Sequence, residues 1–207
     1  MKTKDKVHNL IILDESGSMN SIKPLIISGF NEVVQTVKGV AEKYPEQEHF
    51  ITFISFNSLE IKTHLDAALV SELEEITGEK YKPNSGTPLF DAMGYGIHKL
   101  QQAKANEGSN VLVTILTDGM ENASKEYNKA AIKSLVEEMR GKKWTFTYIG
   151  TDHDVEEFAS SIAIKNTMSF GKNTAGLKEM FKKEMVSRSR YSEKIRAKED
   201  TESDFYI

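Results

Sequence analysis

The residues best placed to do chemistry are Asp14, Ser16 and Ser18, in the stretch Asp14-Glu15-Ser16-Gly17-Ser18-Met19. Alternate residues of an extended segment point to one side. One carboxylate and two hydroxyls therefore converge, and Gly17 lets the backbone turn there without a Cβ in the way. Three hard oxygens suit a hard cation such as Mg2+. They are too few for an octahedral ion, so other stretches must contribute. Two carry the right groups. Ser85-Gly86-Thr87-Pro88 offers a hydroxyl, and Leu116-Thr117-Asp118-Gly119 offers a second carboxylate.

The elements that must position these groups can be read from hydropathy. Val7 to Leu13 is a short apolar run bounded by polar residues, which predicts a buried strand with Asp14 at its exit. Val111 to Leu116 predicts another, with Asp118 just beyond it. From Pro88, the residues Leu89, Met93, Ile97 and Leu100 recur at helical spacing, and Gly108 closes that helix. All three oxygen-bearing stretches thus fall at strand-to-helix transitions, on one rim of a parallel sheet. A helix runs from Ile22 to Tyr44, with Pro24 in its first turn and Pro45 after it. Phe50 to Phe56 is a strand. Ile61, Thr63 and Leu65 alternate with polar residues, as in an antiparallel edge strand. Residues 66–87 are irregular, with a short helix over Leu69 to Ile76. Helix Tyr127–Arg140, strand Trp144–Ile149, helix Val155–Ile162, strand Thr167–Phe170 and helix Thr174–Val186 follow. This alternation predicts an α/β fold: a doubly wound, Rossmann-like, mostly parallel sheet with one antiparallel edge strand and helices on both faces.

Taken in order, Asp14, Ser16, Ser18, Thr87 and Asp118 resemble the metal-ion-dependent adhesion site of von Willebrand factor A (VWA) domains. The resemblance covers residues 5–186, most of the chain. It implies that these five residues ligate Mg2+, with Mn2+ or Ca2+ as substitutes, and that a Glu or Asp carboxylate of a partner protein completes the coordination. It further implies a binding module within a bacterial intracellular complex, paired with an AAA-type ATPase or with stress or secretion machinery. Part of the family also switches between direct and water-mediated coordination by the second aspartate. On this reading residues 1–186 form a single VWA domain. The charged tail, 187–207, has no sustained apolar stripe and is expected to be a frayed helix or disordered, with Phe205-Tyr206-Ile207 read as an untied end in preference to a segment that docks on a partner.

Several of these residues have plainer readings. Thr before Pro is a good helix N-cap, and without the resemblance that is the stronger reading of Thr87. Asp118 also suits a Thr-Asp-Gly turn, although its place straight after a buried strand favours a ligand. Glu121 and Asn122 either orient the metal site from behind or simply lead into the next helix. Asp152-His153-Asp154 follow Gly150 at another strand end and read as helix capping by Asp152 with acidic residues in a first turn, in preference to a rim site beside the metal. Glu15 is expected to point away from the metal, and the eight methionines are expected to fill the core. The rival function is a Mg2+-dependent phosphohydrolase on the same rim. Haloacid-dehalogenase-like enzymes need a second acid two residues after the first, where this chain has Ser16. No phosphate-binding loop or catalytic triad order stands out among the five histidines, so no enzyme is expected.

Composition sets wider limits. The 207 residues suffice for one domain with a real core, and 39% hydrophobic and 28% charged residues are ordinary for a globular protein. A net charge of -4, with basic residues dispersed among acidic ones, argues against nucleic acid as a partner. The chain has no cysteine, which excludes disulfides and thiolate metal sites. No stretch approaches the roughly 20 apolar residues of a membrane span. A cytoplasmic location is expected, absent a leader removed beforehand.

Overall fold

A computed structural model describes residues 4–103, 108–151 and 153–206. Its sheet has six strands: β1 (Asp5–Asp14), β2 (Gln47–Phe56), β3 (Ile61–Leu69), β4 (Asn110–Leu116), β5 (Trp144–Gly150) and β6 (Asn166–Ser169). They lie in the order β3-β2-β1-β4-β5-β6. All neighbours are parallel except β3, which runs antiparallel to β2 at the edge. The strand order reverses direction beside β1, between it and β4, and that switch point is where doubly wound sheets open a crevice.

Among the described residues five α-helices cover the sheet: α1 (Lys23–Lys43), α2 (Leu89–Gln102), α3 (Lys129–Gly141), α4 (Val155–Ser161) and α5 (Thr174–Ala197). Strands buried on both faces have no polar side to show, which is why β1 ends in the four apolar residues Leu10 to Leu13 and β4 is apolar but for Asn110 and Thr114. Strand alternation still decides which helix layer each residue meets. Leu10 and Ile12 of β1 pack with α2, α3 and α4, whereas Ile11 and Leu13 pack with α1 and α5. Helices α1 and α5 cross closely at Gly29, where an added Cβ would lie 1.9 Å from the Phe181 ring.

The structure departs from expectation in four places. Between residues 69 and 76 only a 3-10 turn forms, Val70–Glu72. The Asn31 side chain of α1 holds Ile76 there, donating to its carbonyl at 3.0 Å and accepting its N–H at 2.8 Å. A 3-10 turn, Gly17–Ile22, precedes α1. Helix α2 ends at Gln102 rather than Gly108, and residues 104–107 lie outside the described residues, as do the start of the chain, Asp152 and Ile207.

The tail is the largest correction. α5 does not fray at Val186 but continues to Ala197, where Lys198 adopts a left-handed cap with φ 59°. The chain then folds back. The Thr201 carbonyl accepts from Thr145 Oγ1 at 2.9 Å, Glu202 pairs with Arg140 at 2.6 Å, and Phe205 N donates to Asn166 Oδ1 at 3.1 Å. Phe205 is buried with Val7, Leu112, Tyr191 and Ile195. The buried face of this part of α5 is largely polar, so apolar spacing could not announce it.

Candidate metal centre

The switch point sets the site's geometry. Leu13 of β1 and Leu116 of β4 are register partners, so the residues that leave these strands, Asp14 and Thr117, emerge side by side. Thr117 Oγ1 donates to Asp14 Oδ2 at 2.5 Å, and Ser16 N donates to Asp14 Oδ1 at 2.7 Å. Ser16 Oγ lies 3.1 Å from Ser18 Oγ, and Ser18 Oγ donates to Asp118 Oδ1 at 2.6 Å. The loop after β1 and the loop after β4 are thereby tied across a hundred residues. Thr87 completes the ring. A Cβ built on Gly119 would lie 3.5 Å from Ser18 Oγ and 3.7 Å from Thr87 Oγ1, so the two hydroxyls face a common point over the Gly119 backbone. All five residues singled out from the sequence are brought together on one rim.

Hydrogen bonds behind the rim hold these loops in place. Gly17 N donates to Ser85 O at 2.9 Å and Asn84 N to Glu15 O at 2.9 Å, joining the first loop to the Thr87 loop. Glu15 turns inward, away from the rim, as expected; its carboxylate accepts from Ser55 Oγ at 2.7 Å and from Lys82 N. The Tyr81 hydroxyl donates to Asp14 O at 2.6 Å. Asn122 brackets Thr87, its Oδ1 accepting Thr87 N–H at 2.9 Å and its own N–H donating to Thr87 O at 3.1 Å. Glu121 serves a different purpose. Its Oε2 accepts from Phe90 N at 2.9 Å and so caps α2. Thr87 makes no capping bond to that helix, whose first flanking residue is Pro88, so the cap reading of Thr87 is overturned. Asp154, rather than Asp152, caps α4 by accepting Glu157 N–H at 2.9 Å, and Asp152 lies outside the described residues.

Sequence reasoning missed Thr117 and Lys172. Thr117 is the hydroxyl bridge between the two aspartate loops. Lys172, in the loop between β6 and α5, places its Nζ 2.7 Å from Asp118 Oδ2.

The electrostatics of the rim are unusual for a protein interior. Asp14, Ser16, Thr87 and Asp118 are buried, while Ser18 is exposed and marks the open side. Burial pushes the Asp14 carboxyl up to about 6; bonds from Thr117 and Ser16 oppose the shift, and the nearby Asp118 charge adds to it. Among the described residues the buried Asp118 Oδ2 has no aligned hydrogen-bond donor and pairs with the Lys172 ammonium. Among the described residues no group of three or more His, Cys, Asp or Glu side chains could hold a metal ion. A cation at this rim must therefore use hydroxyls beside the two carboxylates. That donor set fits Mg2+, Mn2+ or Ca2+: every atom is a hard oxygen and the two carboxylates balance a dication. Asp14, Ser16, Ser18, Thr87 and Asp118 would hold it, and it would supply a Lewis-acidic point for an incoming anion.

Comparisons with known proteins agree with the fold. The chain superposes on the SpRpn10 VWA domain with a TM-score of 0.59 at 10% identity, covering 89% of this chain and 95% of that one. It superposes on the vWF domain of the type V pili tip protein Mfa5 from Porphyromonas gingivalis with a TM-score of 0.59 at 9% identity, covering 88% and 96%. For a point mutant of the PilB minor pilin from Streptococcus sanguinis the TM-score is 0.62 at 14% identity, and the chain spans 63% of that protein's length. Comparison with curated protein sequences finds no match. The profile of the von Willebrand factor type A domain matches residues 10–183, most of the sequence. The chain belongs to the von Willebrand factor type A domain family.

Proposed function

We propose that this domain is a divalent-metal-dependent protein-binding module, with Mg2+ held by Asp14, Ser16, Ser18, Thr87 and Asp118 and a partner's Glu or Asp carboxylate docking on it. VWA domains usually mediate protein–protein interaction, and the structural neighbours include pilus proteins. One observation carries the reading: Ser18 Oγ donates to Asp118 Oδ1 at 2.6 Å, closing a ring of hard oxygens around a buried aspartate whose other oxygen is met by the Lys172 ammonium at 2.7 Å. Hydroxyls donate little charge, so a dication held this way keeps affinity for an external anion. Hydrolysis is not favoured, because the position two residues after Asp14, where haloacid-dehalogenase-like enzymes carry their second acid, holds Ser16.

The partner belongs to the same proposal: a protein with an exposed acidic side chain, in an AAA-type ATPase, stress or secretion assembly. So does the cytoplasmic location. Among the described residues no helix is long and apolar enough to cross a membrane. Cell fractionation with an antibody to the chain would place it, and recovery at the cell surface would replace the intracellular partners with extracellular ones.

The test is calorimetric titration of Mg2+ into the wild type and Asp118→Ala. Saturable binding by the wild type and loss in the variant are expected; matching isotherms would overturn the ligand set.

A further inference from the structure

The rim carries apolar side chains as well as oxygens. Strand β2 ends beside β1, with Phe56 the register partner of Asp14, so the turn into β3 stands next to the Asp14 loop. Leu59 in that turn is 72% exposed, and Met120, in the loop of Asp118, is 58% exposed. Among the described residues these are the two most exposed large apolar side chains. Single exposed apolar residues are ordinary on a protein surface. These two share one rim, whereas the others of their kind, Leu69, Tyr95 and Val186, are spread over β3, α2 and α5.

The two loops meet at Gly86, the residue before Thr87. A Cβ built there would lie 2.9 Å from Asn122 Oδ1, 3.2 Å from the Ala123 Cβ and 3.6 Å from the Ser58 Cβ. The backbone around each apolar residue is pinned. Asn57 Oδ1 accepts the Leu59 N–H at 2.9 Å and the Glu60 N–H at 3.2 Å. Ser58 N donates to Gly86 O at 3.0 Å, and Ser58 Oγ to Ser85 Oγ at 2.8 Å. On the other loop, Gly119 N donates to Thr117 Oγ1 at 3.2 Å and Asn122 N to Thr87 O at 3.1 Å, on either side of Met120. Ordering a loop costs affinity, and a loop already held in place avoids that cost.

We propose that Leu59 and Met120 form an apolar flank to the metal centre, and that the partner carries its acidic side chain in a segment with apolar residues beside it. This rests on the metal reading above. The two parts of the surface divide the selection. A dication selects a carboxylate by charge, and any exposed Glu or Asp meets that condition. Contact with Leu59 and Met120 then discriminates among acids by their neighbours, since an acid set among polar residues gains nothing from an apolar flank.

The probes are two blocked tripeptides, acetyl-Leu-Glu-Leu-amide and acetyl-Ser-Glu-Ser-amide, titrated into the full chain in saturating Mg2+ and followed by NMR shifts. The wild type should bind the leucine peptide about tenfold tighter, the gain from taking roughly 55 Å2 of apolar surface out of water. Chelator should abolish binding of both. In Leu59→Ser/Met120→Ser the preference should fall to about twofold or less, with Mg2+ affinity by calorimetry as in the wild type. Both side chains are exposed, so this variant keeps the fold. Equal binding of the two peptides by the wild type, or an undiminished preference in the double variant, would overturn the apolar flank and leave the metal reading standing. A Mg2+-loaded wild type that binds neither peptide would remove the flank together with carboxylate docking. A wild type that takes up no Mg2+ would instead remove the metal reading, and this proposal with it.

Discussion

Two clusters of buried charged side chains among the described residues are built in opposite ways. Beneath α5, Arg188 donates to Glu184 Oε1 at 2.8 Å, to Asn9 Oδ1 at 3.1 Å and to Thr114 Oγ1 at 2.7 Å. The Tyr206 hydroxyl takes the other Glu184 oxygen at 2.6 Å. One positive and one negative charge cancel, and both carboxylate oxygens have donors. At the rim two carboxylates face one ammonium, and one buried carboxylate oxygen lacks an aligned donor. The first cluster is closed and neutral, so its work is to fix α5 on the sheet. The second carries surplus negative charge beside exposed Ser18, so it is set to receive a cation. A buried charge is informative about function only after its partners have been accounted for.

Breaking the closed cluster should give the largest effect on folding. Arg188→Ala leaves Glu184 buried and unpaired, which costs about 3–5 kcal/mol. Urea unfolding should show that loss, while the Mg2+ affinity of the folded fraction stays as in the wild type. A loss below 1 kcal/mol would mean that water reaches Glu184 and the cluster is not closed.

Acid should separate the two regions next. His49, buried on β2 near α1 and Arg188, has its pKa lowered to about 4 by burial. Its reference value is 6.5. Between these limits the unfolded chain binds a proton that the folded chain refuses, so stability falls as pH drops through the window and is unaffected above it. The full loss is about 3 kcal/mol. His49→Leu should flatten this limb of stability against pH relative to the wild type. Parallel curves for the two proteins would show that His49 accepts its proton in the folded state.

How much of this was legible beforehand follows from the periodicities. Asp14 and Ser16 were readable because alternate residues of an extended segment share a side, whereas Ser18 reaches the same rim from the 3-10 turn that begins at Gly17; β1 and β4 were readable because burial on both faces leaves mostly apolar runs. Asn122 was visible as a neighbour of Asp118, but its hold on Thr87 depends on how two loops meet. Thr117 carried a usable signal: a hydroxyl at a strand exit, one residue before a carboxylate. Only the strand register, Leu13 beside Leu116, turns that into a bond to Asp14. Lys172 had no local signal, since it reaches Asp118 only through the order of β4, β5 and β6. The second half of α5 was missed because Glu184, Ser187, Arg188 and Ser192 are its buried residues, and a polar stripe read without its partners looks like a solvated face. Leu73 and Ile76 misled in the other direction. They sit at helical spacing and are buried, but Asn31 of α1 anchors Ile76 and a 3-10 bond to Val70 O holds Leu73, without a helix.

The finest distinction between the clusters concerns a single hydroxyl. Thr117 Oγ1 donates to Asp14 Oδ2 and accepts the Gly119 N–H at 3.2 Å, so it supports both aspartate loops. Thr117→Val keeps the shape and removes a hydrogen bond to a carboxylate, which costs about 2 kcal/mol. The same change loosens Asp14, so Mg2+ binding should weaken severalfold, in contrast to Arg188→Ala, which leaves it untouched. Denaturant titration and calorimetry on one preparation read both quantities. If Thr117→Val lost stability with no change in Mg2+ affinity, the hydroxyl would serve the fold alone, and the rim would be held open by its backbone turns.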